Sequence, residues 1–568
     1  MRLPYSPVLL ALLAIQPSIA TSQADGHGRA AGPLRGDLIL HNGRIHTMNE
    51  RGETASVIAI RAGTIVYIGE SRADAAAEFA TISPSSVVDL RGRTVIPGLI
   101  DCHNHIVLLG NRPGYHTPLE NAYSVADVQG AYRTRAAAAG VPSDAFLTTI
   151  GGFHPNQFRE GRLPTLAELD AAAPGHAVFA SYGFMGPAVT NSLGRAFFAS
   201  LGADDAPAVG ADGAIAAGRE NGKALLGLRG RLLMFAARKR GVRDAMRYAA
   251  SLGVTTHLDQ GAFPAMGTAA DGAAHEDLYA MHLPWLSVYD DDDGLVRLRI
   301  NFLHMDDEAG VPTVAARLRD TFPLFGNDMV RTGGVGEFAT ADYAGGPVFE
   351  EAARRIAAAG WRLEVHSLTA TDFQTQIQAF ERVNANGNSS SPGGGGGVVE
   401  GLRWVVAHVP QITPEYLRRL RAVGGGVNLS GWQYLAGTGP RAGPPFRDVL
   451  DSGIPAGIGA DGMQIAPLNP WVHAYYATTG RNALGQLIND GQQIGRRELL
   501  HLYTRANQWF LGGADERLLG SLEVGRLGDV VVLNNDYFAV PDEELKQLRS
   551  ILTVVGGKVV HDDGILGS

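Results

Sequence analysis

Two histidines separated by one residue follow an apolar stretch, in the segment formed by residues 101–105. Because side chains alternate across a strand, His103 and His105 face one way while Cys102 faces the opposite way. Two neutral imidazoles side by side are good zinc ligands. The pattern therefore predicts a metal clamp at the end of a strand, with Cys102 as a small buried hydrophobic side chain.

Three further residues with metal-site chemistry end later apolar stretches, namely His366, His408 and Asp461. One histidine after a strand is more often an ordinary buried polar group than a ligand. Five such residues are different, because the carboxyl ends of barrel strands meet at the face where active sites assemble. Zinc lowers the pKa of its water to about 7, which leaves a carboxylate such as Asp461 to take the remaining proton.

The elements that would position these residues divide the chain into three parts. Short strands with glycine turns occupy residues 36–97 and recur over residues 515–568, which predicts one small β-sandwich subdomain formed by both termini. Over residues 98–514, strand candidates that include residues 146–153 and 177–184 alternate with helices, which predicts an α/β fold of the (β/α)8 TIM-barrel type. A doubly wound open sheet is the alternative, but no G-x-G-x-x-G motif follows a strand.

The first residues have the features of a cleaved signal peptide over residues 1–20. Arg2 precedes an apolar run over residues 8–15, and residues 18–20 supply a small-x-small cleavage pattern. An uncleaved membrane anchor is the alternative, although the run is short for a span of roughly 20 residues. Residues 21–35 then form a flexible leader, and no later stretch could cross a membrane. We therefore expect an exported protein, located in the periplasm or outside the cell.

Composition narrows the classes of partner. The 568 residues include 48 basic and 57 acidic side chains, for a net charge of -9, which argues against a protein that binds nucleic acid by neutralising phosphates. The single cysteine excludes an intramolecular disulfide and a cysteine zinc finger. The expected partner is a small-molecule substrate. A homo-oligomer is compatible with this low-charge chain, and the sequence leaves that state open.

The order of these motifs resembles the metal-dependent amidohydrolase superfamily, and within it amidohydrolase family 3, the YtcJ-like branch. The resemblance extends from about residue 37 to residue 562. Besides the five residues above, it rests on these stretches: Pro97-Gly98-Leu99-Ile100-Asp101, Gly161-Arg162-Leu163-Pro164-Thr165, Asn191-Ser192-Leu193, Gly253-Val254-Thr255-Thr256, Pro445-Phe446-Arg447 and Gly520-Ser521-Leu522-Glu523-Val524-Gly525-Arg526-Leu527-Gly528-Asp529.

The resemblance implies roles for each of the five residues. His103, His105 and His366 would ligate a divalent metal ion, usually zinc. Asp461 would lie at the metal and act as the general base, and His408 would either ligate a second ion or polarise the substrate carbonyl. The implied activity is hydrolysis of a C–N bond, most simply an amide, in a small and partly apolar molecule.

The fourth barrel strand departs from the family pattern. Relatives commonly place a lysine there that bridges two metals once carboxylated, whereas this chain has Arg331, whose protonated guanidinium cannot replace it. One ion is therefore favoured over two. Glu337 shares the parity of Arg331 unless Gly333-Gly334 forms a bulge, so Glu337 is a further candidate ligand or acid–base group. A structural contact of Glu337 with Arg331 or with backbone is the alternative.

Candidate substrate contacts are His154, Arg331 and Trp432. A loop histidine is more often merely exposed, and an aromatic side chain more often belongs to the core. Phe184-Met185-Gly186 stands where relatives often carry Asp-Gly-His, which predicts a less polar pocket than is usual.

Two further functions are compatible with the same residues. The metal site could support deamination, ester or lactone hydrolysis, or decarboxylation. The chain could also be a non-catalytic binding protein on an enzyme scaffold. Retention of all five site residues argues against a non-catalytic protein, because buried ligands without a metal ion are costly.

Overall fold

The computed structural model describes residues 36–183, 185–262, 278–386, 397–439, 441–463 and 465–566. The expected signal peptide, the expected leader and Phe184 lie outside these residues. Within them, every helix is too short or too polar to cross a bilayer.

The described residues contain twenty-three strands, in chain order: β1 (Leu38–His41), β2 (Arg44–His46), β3 (Thr54–Ala55), β4 (Val57–Arg61), β5 (Thr64–Gly69), β6 (Val87–Asp89), β7 (Thr94–Pro97), β8 (Leu99–Asn104), β9 (Tyr115–His116), β10 (Leu147–Ile150), β11 (Val178–Ser181), β12 (Ala188–Thr190), β13 (Ala214–Ile215), β14 (Val254–Asp259), β15 (Arg297–Phe302), β16 (Val330–Val335), β17 (Glu364–Ser367), β18 (Val405–His408), β19 (Gly426–Ser430), β20 (Ala456–Gly459), β21 (Val530–Leu533), β22 (Ser550–Val555) and β23 (Lys558–Asp562).

The same residues contain nineteen α-helices, in chain order: α1 (Arg72–Ala77), α2 (Ile106–Gly110), α3 (Val125–Ala136), α4 (Leu166–Ala172), α5 (Ser192–Ala199), α6 (Arg219–Leu232), α7 (Phe235–Leu252), α8 (Leu278–Asp290), α9 (Pro312–Asp320), α10 (Gly346–Ala358), α11 (Ala370–Asn386), α12 (Val398–Gly401), α13 (Pro414–Ala422), α14 (Gln433–Ala436), α15 (Phe446–Asp451), α16 (Pro470–Thr479), α17 (Arg496–His501), α18 (Gln508–Leu511) and α19 (Asp515–Leu518).

Strands from both ends of the chain pair in one sheet. Its six strands have the order β23-β22-β21-β7-β2-β3, and β21 lies antiparallel to β7 with Val531 opposite Ile96. A second sheet, β5-β4-β1-β6, is built from the amino-terminal part alone. Leu40 and Ile58 of the second sheet share one apolar cluster with Val532 of the first. The shared sheet brings strands of both termini together, and one β-sandwich subdomain formed by both termini stays a prediction.

The middle of the chain contains eight parallel strands, which form two sheets with the orders β16-β15-β14-β8 and β17-β18-β19-β20. A parallel bridge between Val335 and Leu363 joins the sheets on one side. On the other side, the Asp461 amide donates to the His103 carbonyl over 2.8 Å. Gly98 allows β8 to approach β14, since a Cβ there would lie 2.2 Å from the hydroxyl oxygen of Thr255.

A separate five-stranded sheet, β13-β12-β11-β10-β9, is formed by the chain between β8 and β14. The expectation that residues 146–153 and 177–184 supply strands to the alternating β/α region is therefore corrected, because they form β10 and β11 of this sheet. The reason is local: β11 turns back antiparallel onto β12, and such a hairpin does not fit an all-parallel sheet.

Candidate metal centre

Four buried side chains converge at the carboxyl ends of β8, β16 and β20. His105 Nε2 lies 3.3 Å from Glu337 Oε1 and 3.4 Å from Asp461 Oδ1. His103 Nε2 lies 3.6 Å from Glu337 Oε2. One potential ligand atom from each of the four residues lies within 4.8 Å of the others. The alternation predicted for residues 103 and 105 thus places both imidazoles at one point.

Glu337 also belongs to a second group, with His366 and His408. Its Oε2 atom lies 2.9 Å from His366 Nδ1 and 2.8 Å from His408 Nε2. The two carboxylate oxygens therefore face different histidines, with Oε1 toward His105 and Oε2 toward His366 and His408. All five residues expected at the site are brought together, and Glu337 lies between them.

Two imidazoles are held by hydrogen bonds through the nitrogen that faces away from the cluster. His105 Nδ1 lies 2.8 Å from the carbonyl of Gly261, and His103 Nδ1 lies 2.6 Å from Glu364 Oε1. A carbonyl oxygen accepts and cannot donate, so Nδ1 of His105 carries the proton. In a neutral ring, Nε2 then presents a lone pair to the cluster, which is the arrangement found in metal-ligating histidines.

These residues fit a divalent cation. A neutral His105 would direct its lone pair at two carboxylate oxygens, which is repulsive unless a positive charge lies between them. Burial opposes protonation, but contacts with Glu337 and Glu364 raise the pKa of His103 to about 10, and Asp461 and Glu337 hold that of His105 well above its usual value. His103 Nε2 is buried and has no hydrogen-bond partner among the described residues. Imidazole nitrogens with carboxylate oxygens are the donor set of zinc sites.

Both carboxylates at the centre favour the ionised form. Burial opposes ionisation of Glu337, but His366, His103 and His105 hold its pKa well below the usual range. Burial likewise opposes ionisation of Asp461, and the neighbouring His408 and His105 lower its pKa. Each group is therefore available as an anionic ligand or as a proton acceptor.

Glu364 is a positioning residue that the sequence patterns did not reveal. It is buried on β17, and besides His103 it accepts hydrogen bonds from Arg362 and, over 3.0 Å, from Asn428. Burial raises its pKa, but Arg362 and His103 lower it to about 2. The pattern Arg362-x-Glu364-x-His366 was the available signal, since alternation places these three residues on one face of the strand.

Replacing Glu364 with glutamine removes the negative charge that anchors the His103 ring. We expect the E364Q variant to bind zinc about 10- to 100-fold more weakly, as is typical when the partner of a metal-bound histidine is lost. Competition with a chromophoric chelator measures this change. The matched control is E400Q, at an exposed position outside the cluster. Equal zinc affinity in E364Q and the wild type would contradict the positioning role.

The surroundings of His366 and His408 are aromatic and weakly polar. The His366 ring stacks on Phe338 and meets the edge of Tyr343, each at a centroid distance of 5.1 Å. Ser430 Oγ lies 3.3 Å from His408 Nδ1 and supplies the orienting contact that Ala407 cannot. Trp432 follows Ser430 by two residues in the sequence, and its indole Nε1 is buried without a hydrogen-bond partner in the described part of the chain.

Arg331 is not brought to the cluster. Its guanidinium lies 3.2 Å from buried Asp515, which also pairs with Arg299. The shared parity of Arg331 and Glu337 fails because the pairing register of β16 with β15 shifts between residues 332 and 335, at the two glycines. The expected substrate contact of Arg331 is therefore corrected to a structural ion pair, and no Arg331–Glu337 contact forms.

His154 occupies a loop and is half-buried. Its Nδ1 accepts a hydrogen bond from the Asn156 amide, and its ring meets the edge of Tyr182 at 4.7 Å. These contacts are sufficient to hold the His154 ring in place without a substrate. The substrate contact of His154 stays a prediction. Cys102 is buried as expected, with Sγ 3.1 Å from Asn507 Oδ1.

The sequence of this chain matches a known family over most of its length. The profile described as "Amidohydrolase family" covers residues 86–561. The chain belongs to the amidohydrolase family.

Individual relatives match shorter stretches. N-substituted formamide deformylase of Arthrobacter pascens is 30% identical over 150 residues, which are 25% of this chain and 26% of that protein. Imidazolonepropionase of Bradyrhizobium diazoefficiens is 44% identical over 84 residues, 14% of this chain and 20% of that protein. The chain thus spans about a quarter or less of the length of these curated relatives.

Solved structures match nearly the whole chain at low sequence identity. A metal-dependent hydrolase from Pyrococcus horikoshii aligns with a TM-score of 0.58 and 16% identity over 89% of this chain and 99% of that one. Atrazine chlorohydrolase from Arthrobacter aurescens, solved with zinc, aligns with a TM-score of 0.51 and 18% identity over 93% of this chain and 95% of that one. At this identity, the likeness shows that the chain shares the fold of these proteins.

Proposed function

We propose that this protein is a metal-dependent hydrolase that cleaves a C–N bond of amide type in a small, partly apolar molecule. The observation that carries the proposal is the convergence of His103, His105, His366, His408, Glu337 and Asp461 at the carboxyl ends of parallel strands. The names of the relatives support it, because a deformylase of N-substituted formamides and an imidazolonepropionase both act on carbon–nitrogen bonds.

A divalent ion at this site supplies Lewis-acid polarisation of a carbonyl and lowers the pKa of water. The chain supplies the proton transfers. The Asp461 carboxylate is buried and anionic, so it accepts the proton of the attacking water and delivers it to the departing nitrogen. His408, whose Nε2 atom lies 2.8 Å from Glu337 Oε2, would hold a second ion. Hydrogen bonds hold two of the histidines in position, His105 to the Gly261 carbonyl and His103 to the Glu364 carboxylate.

We propose two ions rather than one, with Glu337 between them. The sequence favours a single ion because the bridging lysine is missing. Glu337 instead directs one oxygen toward His105 and the other toward His366 and His408, and it belongs to both ligand groups. A carboxylate in this position would take the place of the missing lysine, with His103, His105 and Asp461 available to one ion and His366 and His408 to the other. We take zinc as the ion because the donor set combines imidazole with carboxylate.

Aromatic side chains favour a partly apolar substrate. Phe338 and Tyr343 pack on His366 and provide an apolar wall beside the cluster. Trp432 adds one buried N–H donor that lacks a partner within the described residues, and a polar atom of the substrate is its natural acceptor.

The remaining sequence predictions complete the proposal. The eight parallel strands close into a barrel between residues 98 and 514, and the terminal segments 36–97 and 515–568 form one β-sandwich. Residues 1–20 direct export to the periplasm or cell exterior, and residues 21–35 are a leader. The barrel and the sandwich rest on the bridge between Val335 and Leu363, the Asp461–His103 hydrogen bond and the shared terminal sheet.

The activity is tested with chelated and zinc-reloaded protein on N-substituted formamides and on cyclic amides. We expect formate or ring-opened product from at least one class, loss of the rate after chelation, and recovery with zinc. A rate that chelation leaves unchanged would contradict the metal-dependent reaction. Ammonia as the product would favour deamination. Turnover of esters or lactones alone would favour their hydrolysis, and carbon dioxide released from a carboxylic acid would favour decarboxylation.

A further inference from the structure

We infer that a cavity between α7, β9 and the carboxyl-terminal sheet is a second binding site, for a tetrahedral oxyanion such as phosphate or a phosphate monoester. The cavity has a volume of about 370 Å³. A single water needs roughly 10–15 Å³, so the space accommodates a small anion together with solvent. None of its lining residues belongs to the metal cluster.

Positive charge dominates the lining. Arg112, Arg135 and Arg247 face the cavity, against the single carboxylate of Asp244. Asp244 pairs with Arg135 over 3.1 Å and with Arg247 over 3.4 Å. One carboxylate cannot neutralise both Arg135 and Arg247, and guanidinium is the side chain that best matches the oxygens of a phosphate. A net positive cavity of this kind attracts an anion.

His116 supplies an unpaired polar group in the same cavity. Both of its ring nitrogens are buried, and neither has a hydrogen-bond partner among the described residues. Burial, together with Arg112 and Arg135, lowers the pKa of His116 well below its usual value, so the ring is neutral and carries one N–H donor. A buried donor without a partner is costly unless a ligand or water accepts from it.

The donors reach the cavity from four separate elements, and contacts with neighbouring residues hold Arg112 and Arg135 in place. Arg112 follows α2 and donates to the Met463 carbonyl over 2.9 Å. Arg135 ends α3 and lies over the ring of Tyr115 at 5.5 Å, while Arg240 covers the same ring at 3.7 Å. Arg247 is 63% exposed and marks the side on which the cavity meets solvent. Donors converging from several directions suit a tetrahedral anion better than a planar carboxylate.

The test is a titration of the zinc-loaded full chain with inorganic phosphate, sulfate, a phosphate monoester and acetate, followed by calorimetry. We expect saturable binding of phosphate and sulfate, with acetate at least tenfold weaker. Tighter binding of the monoester than of phosphate assigns the site to an organic phosphate, and the reverse assigns it to the inorganic ion. No saturable binding of any tetrahedral anion would overturn the proposal.

Variants locate the site and separate it from the metal centre. R135Q and H116F should weaken phosphate binding at least tenfold, whereas R133Q, an exposed charge on the same helix, should change it less than twofold. D244N removes the competing carboxylate and should tighten binding severalfold, an outcome that misfolding cannot produce. Equal effects of R133Q and R135Q, or weaker binding in D244N, would contradict the assignment. Phosphate bound at zinc would be insensitive to R135Q.

Discussion

We expect the D461N variant to retain bound zinc and to hydrolyse the amide substrate about 100- to 10,000-fold more slowly than the wild type, the range typical of a lost general base. Asparagine keeps the size of the side chain and one oxygen that faces His105, but its amide cannot accept the proton of the attacking water. The expected change lies in kcat, measured alongside the zinc content of the same preparation.

The matched control is D204N, an exposed aspartate outside the site, which should leave kcat unchanged. Near-normal turnover in D461N with full zinc content would show that another group takes the proton. Loss of zinc from D461N would assign Asp461 chiefly to metal binding, and the general-base role would then fail.

The E337Q variant should lose at least one zinc ion per chain together with hydrolysis. Glu337 is the residue that both ligand groups share, and its two oxygens face opposite histidines. Glutamine has one oxygen and no charge, so it cannot serve both groups. We expect the rate to fall at least ~1,000-fold, because the loss affects the ion itself as well as the position of His408. Zinc titration and a rate assay on one preparation provide the measurement.

E415Q, at an exposed glutamate of α13, serves as the control for a change of charge. Full zinc content with normal turnover in E337Q would contradict the central place of Glu337. Retention of a single ion with substantial activity would instead favour the one-ion site that the missing lysine suggests.

Much of the site could be predicted because local patterns determine it. The two-residue period of a strand places His103 and His105 together, and parallel strands bring His366, His408 and Asp461 to the same edge. The contrast between strand-rich ends and an alternating middle predicts one β subdomain from both termini, and in the structure β7 and β21 pair in one sheet.

The remainder depends on contacts that no local pattern specifies. Strand alternation predicts that Arg331 and Glu337 face the same way, but a register shift at two glycines separates them. Arg331 instead forms an ion pair with Asp515, which is distant in sequence. Glu364 could not be predicted from local pattern, because the histidine that it contacts, His103, lies on another strand. Two strands expected in the alternating β/α region, β10 and β11, belong to a separate sheet, in which β11 forms an antiparallel hairpin with β12.

The most direct test of the account is the metal content per chain of the purified, unmodified protein, measured by elemental mass spectrometry. The two overlapping ligand groups around Glu337 predict about two zinc ions per chain. A protein that holds no divalent metal, even after zinc is offered, would contradict the hydrolase and would favour a binding protein on the same scaffold.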